Sequence, residues 1–207
     1  SQAELALQES DPKKLHDRIE KMHGAALRSS HLVQQMLSVA RSEAPTPAHL
    51  PDRYDLAALA REVAREWVPK SMAQEKDLGY VGDDTAMVRG NGLLMREAIN
   101  NLIDNALTYT GKDSIVNVSV RHAFNGLQPV VILEVADNGP GVAPEQLPEV
   151  FTRFWRADDQ ISGGCGLGLP LVDRVAAQHG GLATAHNASP HGFIVRMTIP
   201  EANDSQA

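Results

Sequence analysis

The stretch PVVILEVADNGPGV, residues 129–142, constrains this chain more than any other. A run of apolar, mostly β-branched residues reads as a strand. It ends in Asp137, Asn138, Gly139, Pro140 and Gly141. Asn-Gly and Gly-Pro pairs are strong turn signals, so a plain turn is one reading. The other is a loop whose backbone must approach a ligand closely, with a carboxylate held beside it.

The flanking sequence supplies the fold around this loop. SIVNVSVRHA (114–123) alternates as a second strand, two short strands fall around 77–82 and 86–90, and GLATAHNA with GFIVRMTIP reads as a closing hairpin. Asp55 can cap the amphipathic run LAALAREVAREWVPKSMA, and further helices are expected at about 91–107 and 166–179. Helices with a mixed or antiparallel sheet make an α+β protein, a two-layer α/β sandwich. Residues 1–42 read as helical, with SDP at 10–12 supplying a cap and a first-turn proline. From Leu15 through Ile19, Met22, Ala26, Ser29, Val33 and Met36 to Ala40 the steps alternate four and three, the seam of a coiled coil or helical bundle. The expected organisation is this helical segment, a proline-rich linker at 43–51, a sandwich domain at 52–200 and a flexible tail at 201–207.

Composition narrows the partners. Of 207 residues 43% are hydrophobic, enough for a sizeable core. Nineteen Lys and Arg against 26 Asp and Glu give a net charge of −7, which offers no electrostatic reason for binding duplex nucleic acid. The single cysteine excludes an internal disulfide. No apolar run approaches the roughly 18 residues of a membrane span.

Three further stretches carry chemistry. In REAINNLIDNALTYT (96–110), Glu97, Asn101 and Asn105 recur every four residues and share one helix face. That face is either ordinary solvated surface or a set of oxygen donors suited to Mg2+, which keeps several waters and bridges to phosphates. GGCGLGL (163–169) places glycines before a helix, where backbone N–H groups and the helix dipole can meet phosphate. It lacks the Lys-Ser/Thr of a Walker A loop. FTRFWR (151–156) lies between the glycine stretches, as a hydrophobic staple or as a lid anchor with Arg153 and Arg156 facing phosphate.

In this order, the Asn-bearing helix, Asp-Asn-Gly-Pro-Gly, Phe-Thr-Arg-Phe and Gly-Cys-Gly-Leu-Gly-Leu resemble the catalytic ATP-binding domain of bacterial two-component sensor histidine kinases. That domain belongs to a superfamily shared with gyrase, mismatch-repair ATPases and a heat-shock chaperone. The resemblance covers about residues 52–200, and residues 1–42 look like the remnant of the dimerisation and phosphotransfer hairpin. It implies ATP and Mg2+ as cofactors. Asp137 would accept a hydrogen bond from the adenine amine, with Gly139, Gly141 and Val142 forming the loop around the base. Asn101 would hold Mg2+, Asn105 would contact the phosphates or the metal's waters, and Glu97 would act catalytically by orienting the metal shell. Tyr109 would lie against adenine or ribose, Arg153 and Arg156 would meet phosphate, and Gly164, Gly166, Leu167, Gly168 and Leu169 would close over the phosphates. Thr198 would join a water network under Asp137.

The implied activity is transfer of the ATP γ-phosphoryl to a histidine, for relay to a response regulator. The implied location is the cytoplasmic face of the bacterial inner membrane, with the membrane reached only through segments upstream of this soluble fragment. The seam at 15–40 implies a weak homodimer. A serine/threonine kinase of the anti-sigma type and an ATP-responsive dimerisation module are the alternatives. Three departures stand out. Thr108 occupies a position where the family often has Lys or Arg, leaving Lys112, Arg153 or Arg156 to substitute. Cys165 replaces a common Ser or Thr. No histidine is followed by the acid and Arg-Thr-Pro-like run of the phospho-acceptor box; His16 has its acid and arginine in the wrong register, and His23 and His31 read as helix-surface residues. The chain is therefore expected to begin after the acceptor and to lack autophosphorylation.

Overall fold

The computed structural model of the chain describes residues 11, 14, 15, 52–157 and 166–202. The seam beyond Leu15, the 43–51 linker, Gly164 and Cys165 lie outside the described residues. From residue 52 the order is β1 (Asp52–Asp55), α1 (Leu56–Ala73), β2 (Asp77–Gly82), β3 (Met87–Gly90), α2 (Gly92–Tyr109), β4 (Ile115–Asn125), β5 (Gln128–Asp137), a 3-10 turn (Pro144–Glu149), α3 (Gly168–Gln178), β6 (Leu182–Asn187) and β7 (Phe193–Pro200). Strands β2, β4, β5, β7 and β6 form one sheet in that spatial order, and β1 pairs with β3 in a separate ribbon. Only the β2–β4 pair of the larger sheet is parallel, so the sheet is mixed.

Helices α1 and α2 each start at a side-chain cap. Asp55 Oδ1 accepts from Ala57 N at 2.9 Å and Ala58 N at 3.2 Å, and also from Ala86 N at 2.9 Å, tying the start of α1 to the approach to β3. Asn91 Oδ1 accepts from Leu93 N and Leu94 N at 3.0 and 3.2 Å, satisfying N–H groups that α2 cannot bond internally. On α2, Met95, Ala98, Ile99, Leu102, Ile103, Ala106 and Leu107 are buried, one face of a 3.6-residue period. They pack on the inward residues of the sheet, Val116, Val118, Val120, Val131, Leu133, Val135, Val195, Met197 and Ile199. On the opposite sheet face Arg196 pairs with Glu134 directly across the strands at 2.7 Å.

Two findings depart from the sequence reading. Strand β1 was not expected, because DRYD has one apolar residue and no alternation to reveal it. Its Tyr54 O–H meets His179 Nε2 at 3.1 Å, while His179 Nδ1 lies 2.7 Å from the Val175 carbonyl. A carbonyl only accepts, so Nδ1 carries the hydrogen and Nε2 accepts from the tyrosine. Burial pushes the His179 pKa down and that of Tyr54 up. Two residues assigned to the tail are also held against the domain. Glu201 bridges Val88, and Ala202 is 8% exposed and donates to Met87 O at 2.8 Å.

The end of α2 is held from outside its own helix. Lys76 Nζ donates to Leu107 O and, at 2.9 Å, to Thr110 O, supplying carbonyls at the negative end of the helix dipole. Burial lowers the Lys76 pKa. Replacing Lys76 with methionine is expected to cost about 1.5–3 kcal/mol, since hydrogen bonds to a charged group are lost and the carbonyls are left unmet. Urea denaturation measures this, and an unchanged midpoint would show that the ammonium contributes nothing to the helix end.

Candidate nucleotide site

A cleft of about 320 Å³ opens between α2, the loop after β5, the segment at 150–157 and the start of α3. Val135 and Asp137 of β5 and Phe193 and Val195 of β7 form part of its wall. Strand alternation explains the choice: these residues share the inward face of the sheet.

Asp137 is half-buried at the end of β5. Its Oδ1 accepts from Gly139 N at 2.8 Å and Phe193 N at 3.2 Å. Among the described residues both donors reach the same oxygen. Burial raises the Asp137 pKa, opposed by those two N–H groups. The glycines beside it are required sterically. A Cβ on Gly139 would sit 2.8 Å from Thr110 Cγ2 and 3.0 Å from Asp137 Oδ1. Gly141 has φ of +73°, where a Cβ would lie 2.7 Å from Asn187 Oδ1.

On α2, Asn101 Nδ2 donates to Glu97 O at 2.7 Å, fixing the amide orientation. Its Oδ1 lies 3.1 Å from the position a Cβ on Gly168 would take, so the first residue of α3 packs against Asn101. An amide oxygen thus stands beside a helix N-terminus, the arrangement that suits an anion with an accompanying hard cation. Asp104 also lines the cleft, and its carboxylate is met by Lys70 Nζ at 2.8 Å. No group of three or more His, Cys, Asp or Glu among the described residues could hold a metal without a ligand's help.

The cleft gathers Asn101, Asn105, Tyr109, Asp137, Gly141, Val142, Arg156, Gly166, Gly168 and Leu169. Gly139 and Leu167 stand behind the lining, Leu167 buried at the base of α3. Glu97 is exposed one turn before Asn101 and does not line the cleft. Arg153 is exposed outside it, and Lys112 is engaged with Glu75 at 2.9 Å. Thr198 is misplaced by the sequence reading. It pairs with Ile132 on the face of β7 opposite to Val195 and Met197, so the sheet itself separates it from Asp137. The β7 contact to Asp137 is the N–H of Phe193 instead. Sequence reasoning also missed Trp155 and Asn187; the parity of β7 would have excluded Thr198, whereas nothing in the local sequence marks Asn187.

Residues 90–203 match the family described as Histidine kinase-, DNA gyrase B-, and HSP90-like ATPase, and the chain belongs to that family. It is 32% identical to the sensor protein kinase PmrB of Pseudomonas aeruginosa over 96% of its own length and 41% of PmrB. It thus spans about two fifths of that curated relative. The ATP-binding domain of PrrB from Mycobacterium tuberculosis superposes with a TM-score of 0.59 at 26% identity, covering 74% of this chain and 98% of that one. The histidine kinase ThkA, solved with the response regulator protein TrrA, shares the fold, with a TM-score of 0.68 at 18% identity over 94% of this chain and 52% of that one.

Proposed function

We propose that this chain is the ATP-binding kinase portion of a sensor histidine kinase, which transfers the γ-phosphoryl of ATP to a histidine for relay to a response regulator. The observation that carries the reading is one cleft joining Asp137, its glycine loop, the Asn101 face of α2 and the start of α3. Asp137 is held with one oxygen satisfied by backbone, which suits the other to an adenine amine. Asn101, Asn105 and Arg156 and the N–H groups at the start of α3 would receive the phosphates. Mg2+, when bound with the nucleotide, would neutralise charge between the phosphate oxygens; Asn101 Oδ1 would hold it, with Glu97 in the surrounding water shell. The domain's own work is positioning and charge stabilisation, because the attacking imidazole nitrogen and the leaving ADP do the bond exchange.

The partners that follow are a response regulator, as ThkA has in its solved complex, and a second copy of the chain through residues 15–40 in a weak dimer. No described helix is long and apolar enough to cross a membrane. Attachment to the inner membrane would come through segments outside this sequence.

Titration of the chain with ADP and with a non-hydrolysable ATP analogue, with and without Mg2+, tests the reading; no binding of either would overturn it. The 207 residues hold no acceptor box, so incubation with labelled ATP is expected to leave the chain unlabelled while a longer partner carrying the box gains acid-labile label. Self-labelling would refute that assignment. Asn101→Ala is expected to weaken Mg2+–ATP binding about tenfold, the scale of one charge-assisted contact, while metal-free adenosine is held as before. Equal losses for both ligands would mark a general defect of the cleft.

A further inference from the structure

The Asp137–Val142 loop is gripped from behind by a residue that does not line the cleft. Asn187, at the end of β6, accepts from Val142 N through Oδ1 at 2.9 Å and donates to Val142 O through Nδ2 at 2.6 Å. Both polar atoms of the side-chain amide therefore serve one residue of the loop, 45 positions away in sequence. The same oxygen lies 2.7 Å from where a Cβ on Gly141 would fall, so the amide also packs under the left-handed residue. The neighbouring turn adds support: His191 Nδ1 lies 2.8 Å from Asn138 O, and Phe193 N reaches Asp137 Oδ1.

We infer that Asn187 is a positioning residue for nucleotide binding, holding the backbone of Gly141 and Val142 in the conformation the ligand meets. The inference rests on the nucleotide reading of the cleft and adds to it a residue outside the lining. A peptide unit at a left-handed residue has other conformations close in energy. A two-point amide clamp selects one before ligand arrives, so the nucleotide does not bear the ordering cost. At neutral pH an amide supplies a donor and an acceptor at this spacing. Leucine fills the volume and supplies neither. Aspartate supplies the acceptor but turns a second acceptor toward Val142 O until it is protonated, when its O–H becomes the missing donor.

Asn187→Leu and Asn187→Asp, made in the whole chain, are compared with the unsubstituted protein by calorimetric ADP titration from pH 5 to 8. At pH 8 both variants are expected to bind ADP about 5- to 50-fold more weakly at unchanged stoichiometry, the scale of one or two lost hydrogen bonds. The ratio of Asn187→Asp to the unsubstituted protein is expected to narrow toward pH 5, while that of Asn187→Leu stays flat. Asp137, His186, His191 and the Glu145 and Glu149 carboxylates of the adjoining 3-10 turn are present in all three proteins. Comparing the two variant ratios separates them from the introduced carboxyl. Dissociation constants unchanged by either substitution, with normal ADP binding by the unsubstituted chain, would overturn the role of Asn187 alone. Absence of ADP binding by the unsubstituted chain would overturn the nucleotide reading and this role with it.

Discussion

Replacing Asp137 with asparagine is expected to weaken ADP binding by about 10- to 100-fold while leaving the empty domain at least as stable at neutral pH. The amide oxygen can still accept from Gly139 N and Phe193 N, so the loop keeps its shape. What changes is the outer half of the group. An NH2 now faces the amine of adenine, and a charge-assisted hydrogen bond becomes a clash of donors. Stability moves the other way for an electrostatic reason. Burial raises the Asp137 pKa above its ordinary value of 3.8, so between the two values the folded chain binds the proton more tightly than the unfolded one. The stability linked to this proton is fully present below the unfolded value and is lost as pH rises through the folded one. At neutral pH the buried anion is a net cost that asparagine removes. Denaturation from pH 4 to 7 should show a flatter profile for the variant, and calorimetry with ADP should show the loss of affinity. Unchanged affinity would remove Asp137 from base recognition.

The second large effect is expected at Gly166. It has φ of +68°, and a Cβ there would sit 2.6 Å from the Phe154 carbonyl carbon and 2.7 Å from Trp155 O. These are backbone atoms and cannot swing away as a side-chain end would. The Gly166 carbonyl meanwhile accepts from Phe154 N at 2.8 Å, joining the 150–157 segment to the start of α3. Gly166→Ala therefore combines left-handed strain with overpacking, about 2–5 kcal/mol together, and opens the wall of the cleft where phosphates are expected. Gly111, with nothing within 4 Å of its would-be Cβ, is the matched control. Gly111→Ala should shift stability by no more than about 0.5 kcal/mol. A Gly166→Ala protein with the melting temperature and ADP affinity of that control would show that the two segments do not meet as described.

The sequence was most readable where function and local chemistry coincide. Asp137, the glycines around it and the four-residue spacing of Asn101 and Asn105 announce a loop and a helix face, and the fold brings them to one cleft. Capping by Asp55 and the apolar period of α2 are equally local, and the helix ends fall within a few residues of expectation. What stayed hidden depends on distant partners. Strand β1 exists because β3 and the buried His179 side chain receive it, not because DRYD favours extension. Asn187 is one polar residue near a turn until β6 is laid beside the β5 loop. Thr198 was the opposite kind of error, a residue with suitable chemistry placed without counting which way its strand turns.

The pairing around β3 has a consequence for how such a domain travels between proteins. Val88 is flanked on one side by Tyr54 of β1 and on the other by Glu201, so β1 and the last described residues lie on the two sides of β3. Strand spacing puts them about 10 Å apart. A domain whose entry and exit lie that close can be spliced into a surface loop of a host protein without stretching either. The same closeness lets Ala202 be joined to Asp52 by a few glycines and the chain reopened at Gly126, where a Cβ would meet nothing within 4 Å. Such a rearranged gene would encode the same sheet, the same cleft and the same grip of Asn187 on Val142, read from a different starting point.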